Sequence, residues 1–276
     1  MDKKVVFITG CSSGIGKALS EEFHQNGFRV ISTARRIDSI ADLQKKGIST
    51  YSLDVTDRDE VNQVISTVLK KEKHIDVLVN NAGYGLIGPT IEIPEEELNM
   101  QFQTNVMAPI TLAKKVAPSM KEQGHGMIIN IGSISGLVTM PFSGAYCASK
   151  AALHALSDAL RMELASFGIK VISVQPGAIK SNFGETADTI SSRILRSDSW
   201  YESLENCIKT RAKISQVDAT SAEDFSRKLV SVAMAKKPPA IVRIGKKSLI
   251  LPLLGRLFPT NILDYIFRKK FGLSQV

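Results

Sequence analysis

The chain has 276 residues, of which 43% are hydrophobic and 22% charged, a composition that excludes an intrinsically disordered protein. Three scattered cysteines exclude a disulfide framework, and the apolar run at residues 5–9 is too short for a secretory signal. These features favour a reducing cytosol, so we expect a cytoplasmic protein with a sizeable hydrophobic core.

The net charge of +8 is confined to the end of the chain. Residues 1–235 contain 26 basic and 26 acidic residues, whereas residues 236–276 contain nine basic residues and one acid, Asp264. A nucleic-acid-binding protein more often spreads positive charge over its folded body, so we expect no nucleic-acid partner. A basic segment that is also apolar indicates contact with an anionic membrane surface or an acidic partner.

In chain order, short apolar segments alternate with amphipathic segments of helical length. The apolar segments predict strands at residues 5–9, 29–33, 50–53, 77–79, 127–131 and 170–175. The segments between them predict helices at residues 15–26, 38–46, 57–71, 95–120 and 146–167. This alternation predicts an α/β fold, in which a doubly wound, Rossmann-like parallel sheet carries helices on both faces. Residues 182–216 fit the alternation poorly.

A glycine-rich turn joins the first predicted strand to the first predicted helix. Residues 9–16 read Thr-Gly-Cys-Ser-Ser-Gly-Ile-Gly. Gly10 permits a tight turn, Gly14 and Gly16 permit close approach to the backbone, and the helix N-terminus offers free amides to a phosphate. An ordinary strand-to-helix turn has the same composition, but the position between a strand and a helix favours a dinucleotide site.

A tyrosine and a lysine lie four residues apart at the start of the helix predicted at residues 146–167. Tyr146 and Lys150 therefore share one helical face, where the ammonium group is expected to lower the pKa of the phenol. Such a pair can donate and accept a proton, although the same spacing also occurs on exposed helices. Ser133 follows the strand 127–131, at the sheet edge where open α/β proteins bind ligands, or it is a loop serine or helix cap.

From residue 3 to about residue 243 the chain resembles the short-chain dehydrogenase/reductase family, in its conventional single-domain type. Six family motifs occur in the family's order and spacing. They are the glycine turn at residues 9–16, Asn80-Asn81-Ala82-Gly83, Asn105, Ser133, Tyr146 with Lys150, and Pro176-Gly177. Where the family often has a threonine after the Pro-Gly pair, this chain has Ser181, which keeps a hydroxyl group.

The resemblance implies an oxidoreductase that uses a nicotinamide cofactor to interconvert a carbonyl and an alcohol. It implies that Tyr146 exchanges a proton with the substrate oxygen and that Ser133 donates a hydrogen bond to it. It further implies that Lys150 binds the nicotinamide ribose and that Asn105 holds a water for proton relay. The positions implied to contact the cofactor are Gly10, Ser12, Ser13, Gly14, Ile15, Gly16, Asp54, Asn81, Ala82, Gly83, Tyr146, Lys150, Pro176, Gly177, Ile179 and Ser181. No metal site is predicted.

The end of the second predicted strand bears on the choice between NAD and NADP. An NAD site typically has an acidic residue at this strand end, where it binds the ribose 2′-hydroxyl. In this chain the corresponding position is occupied by Ala34. Arg35 follows directly and can bind a 2′-phosphate with its guanidinium group, assisted by Arg36 and Ser12. We therefore predict NADP(H), although both arginines could instead be solvated surface residues. Asp54 resembles the family aspartate that binds the adenine amino group.

The tail of the chain is expected to extend a single domain. We assign residues 1–245 to the NADP-binding catalytic domain and residues 246–276 to a basic, amphipathic extension of it. Proline and glycine interrupt the tail, so its uninterrupted apolar segments are too short to span a membrane. Two short amphipathic helices are predicted instead, at 249–257 and 260–270. These helices cap the substrate cleft, contact a membrane, or do both.

The predicted function is NADPH-dependent interconversion of a lipophilic ketone or aldehyde and its alcohol. The lipophilic substrate follows from the tail, which resembles the family subgroup of hydroxysteroid and retinol dehydrogenases and acyl-dihydroxyacetone-phosphate reductases. The alternative is a catalytically silent NADP-binding regulator or scaffold, against which the complete set of catalytic residues argues. The resemblance also implies a homodimer, unless the tail blocks the dimer faces.

Overall fold

The computed structural model describes residues 3–195 and 198–274, and within them seven parallel strands form one sheet. The strands are β1 (Val5–Ile8), β2 (Arg29–Ala34), β3 (Ser49–Ser52), β4 (Val77–Asn80), β5 (Gly126–Ile131), β6 (Ile169–Val174) and β7 (Ile241–Val242). Their order across the sheet is β3-β2-β1-β4-β5-β6-β7. The chain therefore winds outward from β1 in one direction and then from β4 in the other, which confirms the predicted doubly wound sheet.

Helices cover both faces of this sheet. They are α1 (Gly14–Gln25), α2 (Ala41–Lys45), α3 (Arg58–Glu72), α4 (Glu95–Phe102), α5 (Ala108–Gln123), α6 (Gly144–Leu164), α7 (Phe183–Ile194), α8 (Glu205–Lys213), α9 (Ala222–Met234), α10 (Ile250–Leu257) and α11 (Thr260–Lys270). One hydrophobic core joins α1 and α9 to one face of the sheet, and a second joins α3 and α5 to the other. Both faces of the central strands are thus buried, as their continuous apolar sequences require.

The long helix predicted at residues 95–120 is interrupted in the structure. After α4, residues Gln103–Met107 form a π-helical turn before α5 begins. Such turns are often found at functional sites because the extra residue redirects a side chain. Here the turn carries the buried Asn105.

Residues 182–216, which fit the predicted alternation of strands and helices poorly, form a layer of helices at the carboxyl ends of the strands. They contain α7 and α8, which pack against each other, while residues 196 and 197 lie outside the described part of the chain. The tail helices α10 and α11 lie within one residue of their predicted bounds. Phe271, just after α11, is 2% exposed and packs with Leu204 and Ile208, so the tail is held against α8.

No helix in the described part of the chain combines the length and hydropathy needed to cross a membrane. The predicted boundary between a catalytic domain and a tail extension at residue 245 stays a prediction, and its outer limits at residues 1, 2, 275 and 276 lie outside the described residues.

Candidate active site

One large cleft of about 960 Å³ opens at the carboxyl ends of the central strands. The glycine turn, the ends of β4 and β5, and the helices α7, α8, α10 and α11 surround it. The predicted site residues that line it are Gly10, Ser12, Ser13, Gly14, Ile15, Gly16, Arg35, Asp54, Asn81, Ala82, Gly83, Ser133, Tyr146, Lys150, Pro176, Gly177, Ile179 and Ser181. Two predicted residues, Asn105 and Arg36, do not line it.

The glycine turn has no space for a side chain at any of its three glycines, as Gly10 and Gly16 illustrate. Gly10 has a φ of +71°, and a Cβ atom there would lie 2.8 Å from the Cα of Ala82. A Cβ at Gly16 would meet the Gly10 carbonyl oxygen and would lie 2.5 Å from Nδ2 of Asn81. The Asn81 amide donates hydrogen bonds to the carbonyl oxygens of Thr9 (2.8 Å) and Gly10 (3.0 Å), which fixes the turn beside the end of β4.

The N-terminus of α1 faces the cleft directly after this turn. Ser13 occupies the N-cap position but its side chain makes no capping hydrogen bond, and the first turn of α1 contains no acidic residue. The first amides of the helix and its dipole therefore present partial positive charge to the cleft. This end of the cleft is suited to bind a phosphate group.

Arg35 and Arg36 follow β2, and only Arg35 lines the cleft. Arg35 is solvent-exposed and lines the cleft next to Ala34, which is buried at the strand end. Arg36 has extended backbone before the 3₁₀ turn Ile37–Ile40 and does not line the cleft. The structure thus brings Arg35 to the cleft lining but not Arg36, whose assistance to Arg35 stays a prediction.

Asn105 lies behind the cleft wall and is 1% exposed. Its Oδ1 accepts a hydrogen bond from the Tyr84 amide (3.2 Å), and its Nδ2 donates to the Tyr84 carbonyl oxygen (3.0 Å) and to Oγ of Ser149 (3.1 Å). A Cβ at Gly83 would lie 2.9 Å from this Oδ1 and 3.6 Å from Nζ of Lys150. Asn105 and Lys150 therefore approach the same small space around Gly83.

Lys150 is buried in α6 and its ammonium group donates a hydrogen bond to the Ile131 carbonyl oxygen at 2.8 Å. Burial lowers the pKa of Lys150 to about 8 because the charged form loses its hydration. Its Nζ lies 5.9 Å from the centre of the Tyr146 ring. The lysine thus sits beside the tyrosine ring, at the end of β5.

Tyr146 is buried beside Ser133, and burial has the larger effect on its pKa. Desolvation raises the pKa of Tyr146 to about 12, while a hydrogen bond from Ser133 and the charge of Arg211 act in the opposite direction. The predicted lowering of this pKa by Lys150 is therefore wrong for the arrangement that the structure shows. The phenol is protonated at neutral pH, which is the state required of a proton donor.

The structure adds side chains that the sequence analysis missed. Phe183 packs its ring 5.3 Å from that of Tyr146, and His154 accepts a hydrogen bond from the Ser133 amide at 3.4 Å. Gln216 accepts one from the Ser181 amide at 2.8 Å. Arg211 lines the cleft from α8 and is 5% exposed. Its helical spacing with the apolar side chains at 208 and 212 is the one signal that could have placed it on a buried face.

Comparison with known proteins agrees with this fold. The family model described as short chain dehydrogenase matches residues 4–192. A Helicobacter pylori protein described as a probable short-chain type dehydrogenase/reductase, VdlC, is 35% identical over 261 residues, covering 95% of each chain. The NADPH-dependent 3-dehydrocapnine reductase of Ornithobacterium rhinotracheale is 32% identical over 273 residues, also covering 95% of each chain.

A solved structure of a short-chain dehydrogenase from Streptomyces avermitilis superposes with a TM-score of 0.81 at 30% identity, covering 100% of this chain and 98% of that one. An open, doubly wound sheet with a glycine turn and a buried tyrosine and lysine at the same cleft defines a dinucleotide-dependent oxidoreductase fold. The chain belongs to the short-chain dehydrogenase family, whose members are oxidoreductases that act on CH–OH groups.

Proposed function

We propose that the protein is an NADPH-dependent reductase that interconverts a lipophilic ketone or aldehyde and its alcohol. The observation that carries this proposal is the meeting of Ser133, Tyr146 and Lys150 at the end of β5, inside one cleft with the glycine turn. A proton donor, a hydrogen-bond donor and a cation thereby converge on one place in a largely buried site.

The cleft fits a dinucleotide cofactor. The glycine turn is a cradle that a Cβ at Gly10 or Gly16 would fill, and the uncapped N-terminus of α1 suits a pyrophosphate. Arg35 supplies a positive charge where Ala34 leaves no carboxylate to repel a 2′-phosphate. The relative from Ornithobacterium rhinotracheale is named as NADPH-dependent, which supports the same choice. Ser12, Asp54 and Ser181 line the cleft where they can contact the cofactor.

When bound, the cofactor supplies the hydride. Tyr146 donates its phenolic proton to the carbonyl oxygen of the substrate, and Ser133 donates a hydrogen bond to that oxygen, where negative charge develops. Lys150 holds positive charge close to the tyrosine and positions a ribose hydroxyl. Asn105 fixes the backbone at Tyr84 and, beside Gly83, holds the water through which Lys150 exchanges protons with solvent.

The substrate end of the cleft supports a lipophilic substrate. Apolar side chains from the layer over the sheet and from the tail line it: Met140, Phe183, Ile190, Ile214, Ile250, Leu251 and Phe267. Because α10 and α11 contribute to this lining, the tail acts as a roof over the bound substrate. Burial of methylene groups there contributes about 0.8 kcal/mol each.

The experiment that tests the proposal is an NADPH-oxidation screen over steroids, retinal, long-chain acyl ketones and aldehydes, with wild type and Tyr146→Phe. The variant keeps the ring and removes the proton, so it should bind NADPH but turn over about 10²–10⁴-fold more slowly. Turnover within a few-fold of wild type would refute the role of Tyr146. NADPH binding without any turnover in the wild type would favour the silent scaffold.

A second proposal is reversible contact of the tail with an anionic membrane. Large apolar side chains in and next to α10 and α11 remain exposed to solvent: Leu249, Ile250, Leu253, Leu257, Phe258, Ile262, Tyr265 and Ile266. Basic residues in the same segment each add about 1 kcal/mol near an anionic surface, and buried apolar area adds to that. An exposed apolar face of this kind marks an interaction surface.

Sedimentation with vesicles containing phosphatidylserine tests this contact. We expect binding at low salt that weakens as salt is added, and a loss of binding in Leu253→Ser combined with Leu257→Ser. Met162→Ser is the matched control, because Met162 and Leu257 are both 66% exposed and Met162 lies on α6, away from the tail. Equal binding of all variants, or no binding by the wild type, would refute membrane contact by the tail. The tail would then only cover the substrate cleft. A homodimer stays a separate prediction for gel filtration.

A further inference from the structure

Arg211 is a buried cation in the wall of the substrate cleft. It lies on α8 and is 5% exposed. Its Nη2 donates a hydrogen bond to Oγ of Ser143 at 2.9 Å, and its Nε has no hydrogen-bond partner in the described part of the chain. Among residues 3–195 and 198–274, no carboxylate lies within ion-pair distance of this guanidinium group.

This lack of a counter-charge is unusual within the same layer of helices. Arg193 on α7 pairs with Glu97, and Lys213 on α8 pairs with Asp188 at 2.8 Å. Both of those cations are well exposed to water, whereas Arg211 is not. A buried arginine stays charged, and burying a charge without a partner is costly. Arg211 is thus a buried cation to which the described residues supply no carboxylate partner.

The position of Arg211 relative to Tyr146 indicates where its partner binds. Ser143, which holds Arg211, is the N-cap residue of α6, and Tyr146 lies three residues further along that helix. Both side chains line the same cleft, and the positive charge of Arg211 acts to lower the pKa of the Tyr146 phenol. An anion on Arg211 and a carbonyl group on Tyr146 would therefore belong to neighbouring parts of one substrate.

We propose that Arg211 binds an anionic group of the substrate, a phosphate, sulfonate or carboxylate, close to the carbonyl that is reduced. The substrate is then an anionic amphiphile, whose apolar chain lies under the tail and whose charge lies on Arg211. This inference rests on the proposed reductase function. The unpaired Nε and the guanidinium N–H groups that Ser143 does not use are donors available to an oxyanion.

Matched substrate pairs test the proposal. One pair is a long-chain acyloxy ketone with a phosphate monoester and the same ketone with a free hydroxyl, and the other is a long-chain 4-oxo acid and its methyl ester. We expect wild-type kcat/KM to be about tenfold to a hundredfold higher for the charged member, the range of a charged hydrogen bond. Arg211→Met should bring this ratio close to one, and Arg211→Lys should keep part of it. Lys209→Met, an exposed residue of the same helix paired with Glu205, should leave the ratio unchanged.

A measurement on the wild type alone covers the case in which Arg211→Met fails to fold. A long-chain alkyl phosphate should compete with ketone substrates at least tenfold better than the alcohol of the same chain length. Equal inhibition, or an unchanged ratio in Arg211→Met, would overturn the role of Arg211. Inhibition of both members of a pair by millimolar inorganic phosphate, without a charge preference, would show a free-anion site and would also overturn it. In each case reduction of the neutral ketones would leave the reductase function standing, whereas no reduction of any ketone would refute that function.

Discussion

His154 is expected to make the active-site wall sensitive to acid. Its ring is buried in α6 behind Ser133, and its Nε2 accepts a hydrogen bond from the Ser133 amide, so this nitrogen carries no proton. Burial lowers the pKa of His154 from 6.5 to about 4. The positive charges of Lys150 and Arg243 act in the same direction, and the negative charge of Asp158 acts in the opposite direction. A proton on Nε2 would place two N–H groups against each other.

The sign of the effect follows from proton linkage. Because the pKa is lower in the folded protein than in the unfolded chain, only the unfolded chain takes up this proton between pH 6.5 and 4. The contribution to stability is therefore present above pH 6.5 and is lost as the pH falls toward 4. The full difference corresponds to about 3 kcal/mol, of which about 2 kcal/mol should be lost by pH 5.

Urea unfolding at pH 7, 6 and 5 measures this loss. Other groups also titrate in this range, so the informative quantity is the difference between wild type and His154→Gln, which cannot take up the proton. We expect the variant to be less stable than wild type at pH 7 and to lose about 2 kcal/mol less between pH 7 and 5. His24→Gln, at the end of α1, controls for the loss of a histidine elsewhere. Parallel pH dependences of wild type and His154→Gln would refute the reasoning.

Three further changes have defined expected outcomes. Ala34→Asp combined with Arg35→Ala should reverse a preference for NADPH over NADH of about tenfold or more, measured as the ratio of kcat/KM values; equal use of both cofactors by wild type would contradict it. Gly16→Ala should weaken NADPH binding at least about tenfold in calorimetry, because its Cβ has no space, while Gly88→Ala, whose Cβ would meet nothing closer than 3.7 Å, should not. Asp57→Ala should reduce the free energy of unfolding by about 1 kcal/mol in urea titrations, since its carboxylate caps α3 through two amides.

Local sequence patterns predicted the sheet well. Each of the six predicted strands is present with ends shifted by at most one residue, because fully buried parallel strands read as short apolar runs between breaks. Local sequence motifs also identified several candidate site residues, because adjacent or regularly spaced residues form these motifs. They are the glycine turn, Ser133, and Tyr146 with Lys150. The structure brings these motifs into one cleft although they lie far apart in the chain.

Features that depend on tertiary packing could not be predicted from local sequence patterns. The two-residue strand β7 is defined by its pairing with β6, not by a pattern of its own. The π-helical turn at Asn105 continues the apolar spacing of a helix and was read as one. The pKa of Tyr146 also depends on burial, which a lysine four residues away does not reveal. Such terms arise only when distant elements enclose a side chain.

The tail shows why a roof and a membrane surface are compatible roles. Gly255 packs α10 so closely on the loop after Ser133 that a Cβ there would lie 2.6 Å from Cγ2 of Val138, and Phe271 anchors the end of α11. Leu253 and Leu257, which lie on either side of Gly255 in α10, face solvent. An amphiphile that enters from a bilayer would pass from this outer apolar face to the apolar lining beneath it without crossing water. Under the two proposed roles of the tail, the same segment would both deliver and cover a lipophilic substrate. Leu253→Ser with Leu257→Ser should then slow turnover of vesicle-bound substrate more than that of substrate in dilute detergent.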